Sequence, residues 1–281
     1  MFSIKEDKMA NIDYSQTIPD GVPSMIAFGI VALLTVLVII AVLIIRKWHG
    51  RVFPVFAGLI SYVVFVFLLS YIVTALILTI PGAAQFFADN GIAYSIMICV
   101  INVLAFMIAR IVLCKVFIGR YDNKGDICVA GVGLAAGDCI SYVITMISYS
   151  LWCNIIQSEG LQKALETTDS NNIESTYKAV SILFEGQTII WPVMALSYIL
   201  DVVVGIVFMC LVYAVVTKQL KPYWYAVIAA ANIIVNVSFQ NYDVTSIDSI
   251  LIALGIKLIV CAVIVCYMMK VKDKEIVYSN D

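Results

Sequence analysis

Seven long apolar stretches dominate the sequence, at about residues 25–45, 54–80, 94–118, 127–151, 188–216, 223–239 and 249–269. A helix needs roughly 20 consecutive apolar residues to cross the hydrocarbon of a bilayer, where its backbone groups must be satisfied internally. Each stretch reads as a spanning helix, the sixth short and the fifth long. Composition agrees with this: 63% of the 281 residues are hydrophobic and 13% are charged, against about 25% charged in ordinary soluble domains. The mean hydropathy is +1.02. A water-soluble fold of this length cannot hide so much apolar side chain. A net charge of −2 also excludes a nucleic-acid-binding domain, which needs a basic patch. The expected fold class is an all-α, polytopic membrane helix bundle whose first partner is the lipid bilayer.

Loop charge sets the orientation. Eleven basic residues fall in alternate connections: Arg46, Lys47 and Arg51; Lys115, Arg120 and Lys124; Lys218 and Lys221; Lys270, Lys272 and Lys274. The opposite side holds only Lys5, Lys8, Lys163 and Lys178. Basic loops stay in the cytoplasm, so the N-terminus lies outside and the C-terminus inside, which requires an odd number of spans. Trp48 and Trp224 on the basic side and Trp152 and Trp191 on the other form the interfacial aromatic belt. The expected organisation is an extracytoplasmic tail over 1–24, a membrane domain over 25–270 and a cytoplasmic tail over 271–281. The first 24 residues are polar and acidic, and read as a retained tail rather than a cleaved signal peptide. The acidic outer loop, 157–187, carries Glu159, Glu166, Asp169, Glu174 and Glu185, with a turn expected over 167–172. Ile182, Leu183 and Phe184 are expected on the membrane surface.

Four charges fall inside the spans: Arg110 in the third, Asp138 in the fourth, Asp201 in the fifth and Lys257 in the seventh. A charge at the bilayer centre costs at least ~2.5–3.5 kcal/mol on insertion scales, so each needs a partner or water. Their sum is zero. Structural pairs among these four are one reading, and a functional site is the other. Asn232 and Asn236 share one helix face. Gly131, Gly133 and Gly137 leave room beside Asp138, and Gly133-xxx-Gly137 fits the small-xxx-small packing motif. Together these groups suggest a polar pocket among the third to sixth helices. The plainer alternative is interhelical hydrogen bonding, worth ~0.6 kcal/mol per contact.

Most catalytic constellations do not fit. The eight cysteines lie in or beside apolar stretches with no CxxC pair, and read as small hydrophobes. Serine and metal intramembrane proteases need a buried histidine. The single histidine, His49, lies in the first basic loop. An aspartyl dyad of Asp138 and Asp201 stays open, since two carboxylates sharing one proton can activate water. Ala136-Gly137-Asp138 is similar to the GxGD string of intramembrane aspartyl proteases, departing at its first glycine, where Ala135 stands.

From about Ile26 to Val237 the order of features resembles the YhfC family of intramembrane metallopeptidases, related to the CAAX-protease and bacteriocin-processing membrane peptidases. The resemblance rests on Ile45-Arg46-Lys47-Trp48-His49-Gly50, on Ala109-Arg110-Ile111-Val112-Leu113, and on the run from Gly131 to Ile140. It continues through Leu211-Val212-Tyr213-Ala214-Val215 and Asn232-xxx-Asn236. It implies a metal ion, peptidase activity and a bacterial cytoplasmic membrane. The family's Glu-Glu pair before the arginine, however, is here Phe106 and Met107, with Arg110 kept. Its Gly-x-Gly-His-Gly-Gly-x-Glu string has Leu134 in the histidine place and Asp138 in that of the glutamate. Its late His-x-x-x-Asn becomes Asn232 with Asn236 kept. Asn, Phe, Met and Leu cannot replace such ligands and acid–base groups, so no metal or other cofactor is expected.

The expected function is therefore binding without catalysis. Arg110, Asp138, Asn232 and Asn236 would hold a membrane peptide or membrane-protein partner. The alternatives are an active intramembrane peptidase, by the family's chemistry or by Asp138 and Asp201, and a small-solute transport component using the interior charges.

Overall fold

The structure is a computed structural model that describes residues 12–117, 124–166, 173–185, 187–240 and 247–277. Helices are α1 (Val22–Trp48), α2 (Phe53–Leu78), α3 (Ala83–Asp89), α4 (Gly91–Phe117), α5 (Lys124–Glu159), α6 (Leu161–Glu166), α7 (Ile173–Val180), α8 (Ile182–Glu185), α9 (Ile190–Val216), α10 (Trp224–Gln240) and α11 (Ile247–Val277). No strand occurs among the described residues. Six helices, namely α1, α2, α4, α5, α9 and α11, are long and apolar enough to cross a membrane; α10 is shorter. This is the make-up of a multi-pass membrane protein. The expected turn over 167–172, and Lys5, Lys8 and Arg120, lie outside the described residues.

The helix ends follow local chemistry. Helix α1 stops where His49 takes φ 52°, and α5 runs on to Glu159 until Gly160, at φ 82°, turns the chain. Gly can take that left-handed backbone without steric cost. After α9, Lys218 takes φ 61° and the Gln219 N–H bonds back to the Ala214 carbonyl, closing the last turn. Within α2, the stretch Tyr62–Leu68 is π-helical, the Leu69 N–H reaching back to the Val64 carbonyl. Such widened turns re-aim side chains and recur at functional sites.

Contacts group the chain into two units. The first takes 1–34, 140–196 and 243–250. There Gly29 lies against the Trp191 backbone and Ala195, and the rings of Tyr149 and Trp191 stand 5.5 Å apart. Ile182 and Leu183 are buried in this unit, not laid on a membrane surface as their apolar run predicts, because the short α8 packs inward.

The second unit takes 35–139, 197–242 and 251–281. Its core joins Leu134 on α5, Phe208 and Val212 on α9, Trp224 and Ile228 on α10, and Met107 and Leu113 on α4. Helices α2 and α5 touch through backbone: a Cβ at Gly58 would collide with the α5 chain at Ala130 to Leu134, and one at Gly133 with the Val55 carbonyl. The other faces stay apolar and uncovered, as at Phe56 and Ile60 on α2 and Ile259 and Val263 on α11. Contiguous apolar surface of this kind suits lipid, not water.

Candidate functional site

All six polar residues singled out by the sequence fall in the second unit, and five of them line one small cavity of about 40 Å³. Arg110 and Phe106 come from α4, Gly131, Leu134, Ala135 and Asp138 from α5, Asp201, Val204 and Gly205 from α9, and Asn232, Val235 and Asn236 from α10. The sixth residue, Lys257, holds Asp201 from α11. Its Nζ donates to Asp201 Oδ2 and to Ser197 Oγ, each at 2.8 Å, and lies 2.8 Å from Asp201 Oδ1. This amine is 2% exposed, so the ion pair and the hydroxyl replace its water.

Asp138 has a different partner. The Tyr62 hydroxyl donates to its Oδ1 at 3.2 Å. Tyr62 begins the π-helical stretch of α2, and its ring lies where a side chain at position 137 would project. Gly137 is therefore required for the contact. The room that the glycines of α5 leave beside Asp138 is thus largely taken: Gly133 by the α2 backbone, Gly137 by Tyr62, and Gly131 by Met209. Tyr62 was not among the residues the sequence marked, since a tyrosine in an apolar run carries no signal of its own.

Arg110 is 4% exposed, and no carboxylate comes within 4.0 Å of it among the described residues. Its guanidinium stands over the rings of Phe106 and Phe208 at 5.2 and 5.4 Å, a cation–π arrangement. Nε and Nη1 are buried without a hydrogen-bond partner. On α10 the Asn236 amide donates to the Asn232 carbonyl at 2.8 Å and to Asn232 Oδ1 at 3.0 Å. Asn232 Nδ2 is then left buried without a partner. Leaving a buried donor unsatisfied costs about 1–3 kcal/mol, and more when charged. Three such donors at one cavity are a cost to the fold that a bound acceptor would offset.

An open groove of about 340 Å³ adjoins this cavity on the same unit, between α2 and α4. It runs past Phe67, Tyr71, Thr74 and Asn102 to Phe106 and Asp138, the two residues it shares with the cavity. Ser70, also in its wall, has a buried hydroxyl without a partner.

The metal ion that the resemblance implies does not fit this donor set. One carboxylate is engaged by a phenol and the other by an ammonium, and the remaining polar side chains lining the cavity, Arg110, Asn232 and Asn236, include no histidine, thiolate or further carboxylate. Among the described residues, no three His, Cys, Asp or Glu side chains come together as ligands. Asp138 and Asp201 line the same cavity, each with its own partner, Tyr62 for the first and Lys257 for the second.

A further buried acid escaped the sequence reading. Asp126, in the first turn of α5, is fully buried, and its Oδ1 accepts the Arg51 N–H at 2.6 Å. In sequence it looks like a solvated loop acid between Lys124 and the fourth apolar run.

No family model, curated protein or solved structure matches this chain.

Proposed function

We propose that the chain is a non-catalytic receptor for a membrane-spanning segment, which it holds in the groove between α2 and α4 and engages through Arg110, Asp138, Asn232 and Asn236. The observation that carries this reading is the set of buried donors at one cavity, Arg110 Nε and Nη1 and Asn232 Nδ2, each without a partner. Lipid tails offer no acceptor, and a protein segment does. In this reading the protein crosses the membrane seven times, with α10 as the short sixth span. The N-terminus is outside and the C-terminus is cytoplasmic. Its scaffold is YhfC-like, and Phe106 stacks on the arginine where the family has an acid.

Affinity purification from native membranes in mild detergent tests this, comparing wild type with Asp138→Asn. An intact membrane partner held by both proteins supports binding. A partner that is full-length on the Asn variant and cut by wild type would mean a working peptidase, and would end the reading.

A further inference from the structure

The cavity has a chemical bias that narrows what it can hold. Its orphaned groups are all donors: Arg110 Nε and Nη1 and Asn232 Nδ2. Its acceptors include Asp138, which takes one hydrogen bond, from Tyr62, and no second among the described residues, and the side-chain oxygen of Asn236, whose amide nitrogen is the end turned to Asn232. Charge is already balanced, because Lys257 neutralises Asp201 and the cavity holds Arg110 as well as Asp138. An added anion would face two carboxylates, and an added cation would face the guanidinium. In a medium of low dielectric neither is favourable.

A neutral group carrying both a carbonyl and an N–H satisfies both sides of this cavity. Size agrees. The cavity, of about 40 Å³, has room for a small polar group. A carboxamide, of one carbon, one oxygen and one nitrogen, is such a group. The groove between α2 and α4 leads from exposed Phe67 and Tyr71 to Asp138, which gives the group a path from the lipid side.

We propose that the cavity receives the side-chain carboxamide of an Asn or Gln on a partner transmembrane helix lying in this groove. Its oxygen accepts from Arg110 and Asn232, and its amide donates to Asp138. The proposal rests on the binding role put forward above and names the group that is bound.

The test uses the full chain in liposomes, with a synthetic leucine-rich spanning peptide carrying Leu, Asn, Gln or Asp at its centre and association read by energy transfer. The Asn and Gln peptides should bind about three- to fifteenfold more tightly than the Leu peptide, the range set by hydrogen bonds between membrane helices. Asn232→Leu should reduce that preference, and Arg110→Lys is the second variant if the first fails to fold. Equal binding of the Leu, Asn and Gln peptides would overturn the carboxamide proposal and leave helix binding standing. Tighter binding of the Asp peptide would also overturn it, by making the site a carboxylate receptor. If no peptide binds, the binding role itself fails, and this proposal with it.

Discussion

The Lys257 ammonium stands 2.8 Å from both carboxylate oxygens of Asp201, tying α11 to α9 inside the apolar part of the second unit. Removing one partner leaves the other charge buried and unpaired, which typically costs about 3–5 kcal/mol. We expect Lys257→Met to lower the thermal midpoint in detergent markedly, and the double variant Lys257→Met with Asp201→Leu to recover most of the loss. Single variants as stable as wild type would show that the pair does not hold the helices.

Gly137 and Tyr62 make a second, steric relationship. A Cβ at position 137 would collide with the tyrosine ring, so Gly137→Ala must displace Tyr62 from Asp138. Overpacking of this kind costs about 1–3 kcal/mol. Tyr62→Ala should rescue Gly137→Ala, whereas Tyr62→Phe should not, since the ring remains. The same detergent melts read both outcomes.

The buried Asp126 joins the first basic connection to the start of α5 through the Arg51 N–H. Asp126→Ala leaves that N–H without its acceptor, at a cost of about 1–3 kcal/mol. We expect the segment around His49 to become more sensitive to limited proteolysis, while cleavage within 157–187 stays unchanged. Uniform sensitivity in both places would mean general unfolding instead.

Topology separates seven spans from six. Helix α10 has 17 residues, about 25 Å at helical rise against a hydrocarbon core of about 30 Å. If it crosses, a reporter fused after Asp281 is cytoplasmic and a cysteine probe near Asp13 is labelled from outside. With six crossings both ends would report the same side.

The helices were legible because a bilayer forces apolar runs to declare themselves. Six of the seven expected spans have helices long and apolar enough to cross, with ends within a few residues except on α11, which continues past the expected end at 269 to Val277, and on α5. There the helix overruns the expected end at 151 to Glu159, since nothing before Gly160 breaks it. Arg110, Asp138, Asp201, Asn232, Asn236 and Lys257 were visible as polar groups in apolar runs. Their pairing was not, because helix order and rotation decide that Lys257 meets Asp201 while Arg110 meets two aromatic rings. Tyr62 and Asp126 were hidden for opposite reasons, one ordinary in an apolar helix and the other ordinary in a loop.

The most direct measurement places a photoreactive amino acid at Tyr71, in the groove, or at Ile259, on the open face of α11, and crosslinks in native membranes. We predict an intact membrane-protein adduct from position 71 and none of that mass from position 259. With Asn232→Leu the adduct should weaken while the melting temperature holds, because this change removes a buried donor that has no partner, and the Asn236 amide that loses Asn232 Oδ1 keeps its bond to the backbone carbonyl of residue 232. Lipid adducts alone at position 71, or a partner recovered as cut fragments, would contradict a binding site without catalysis.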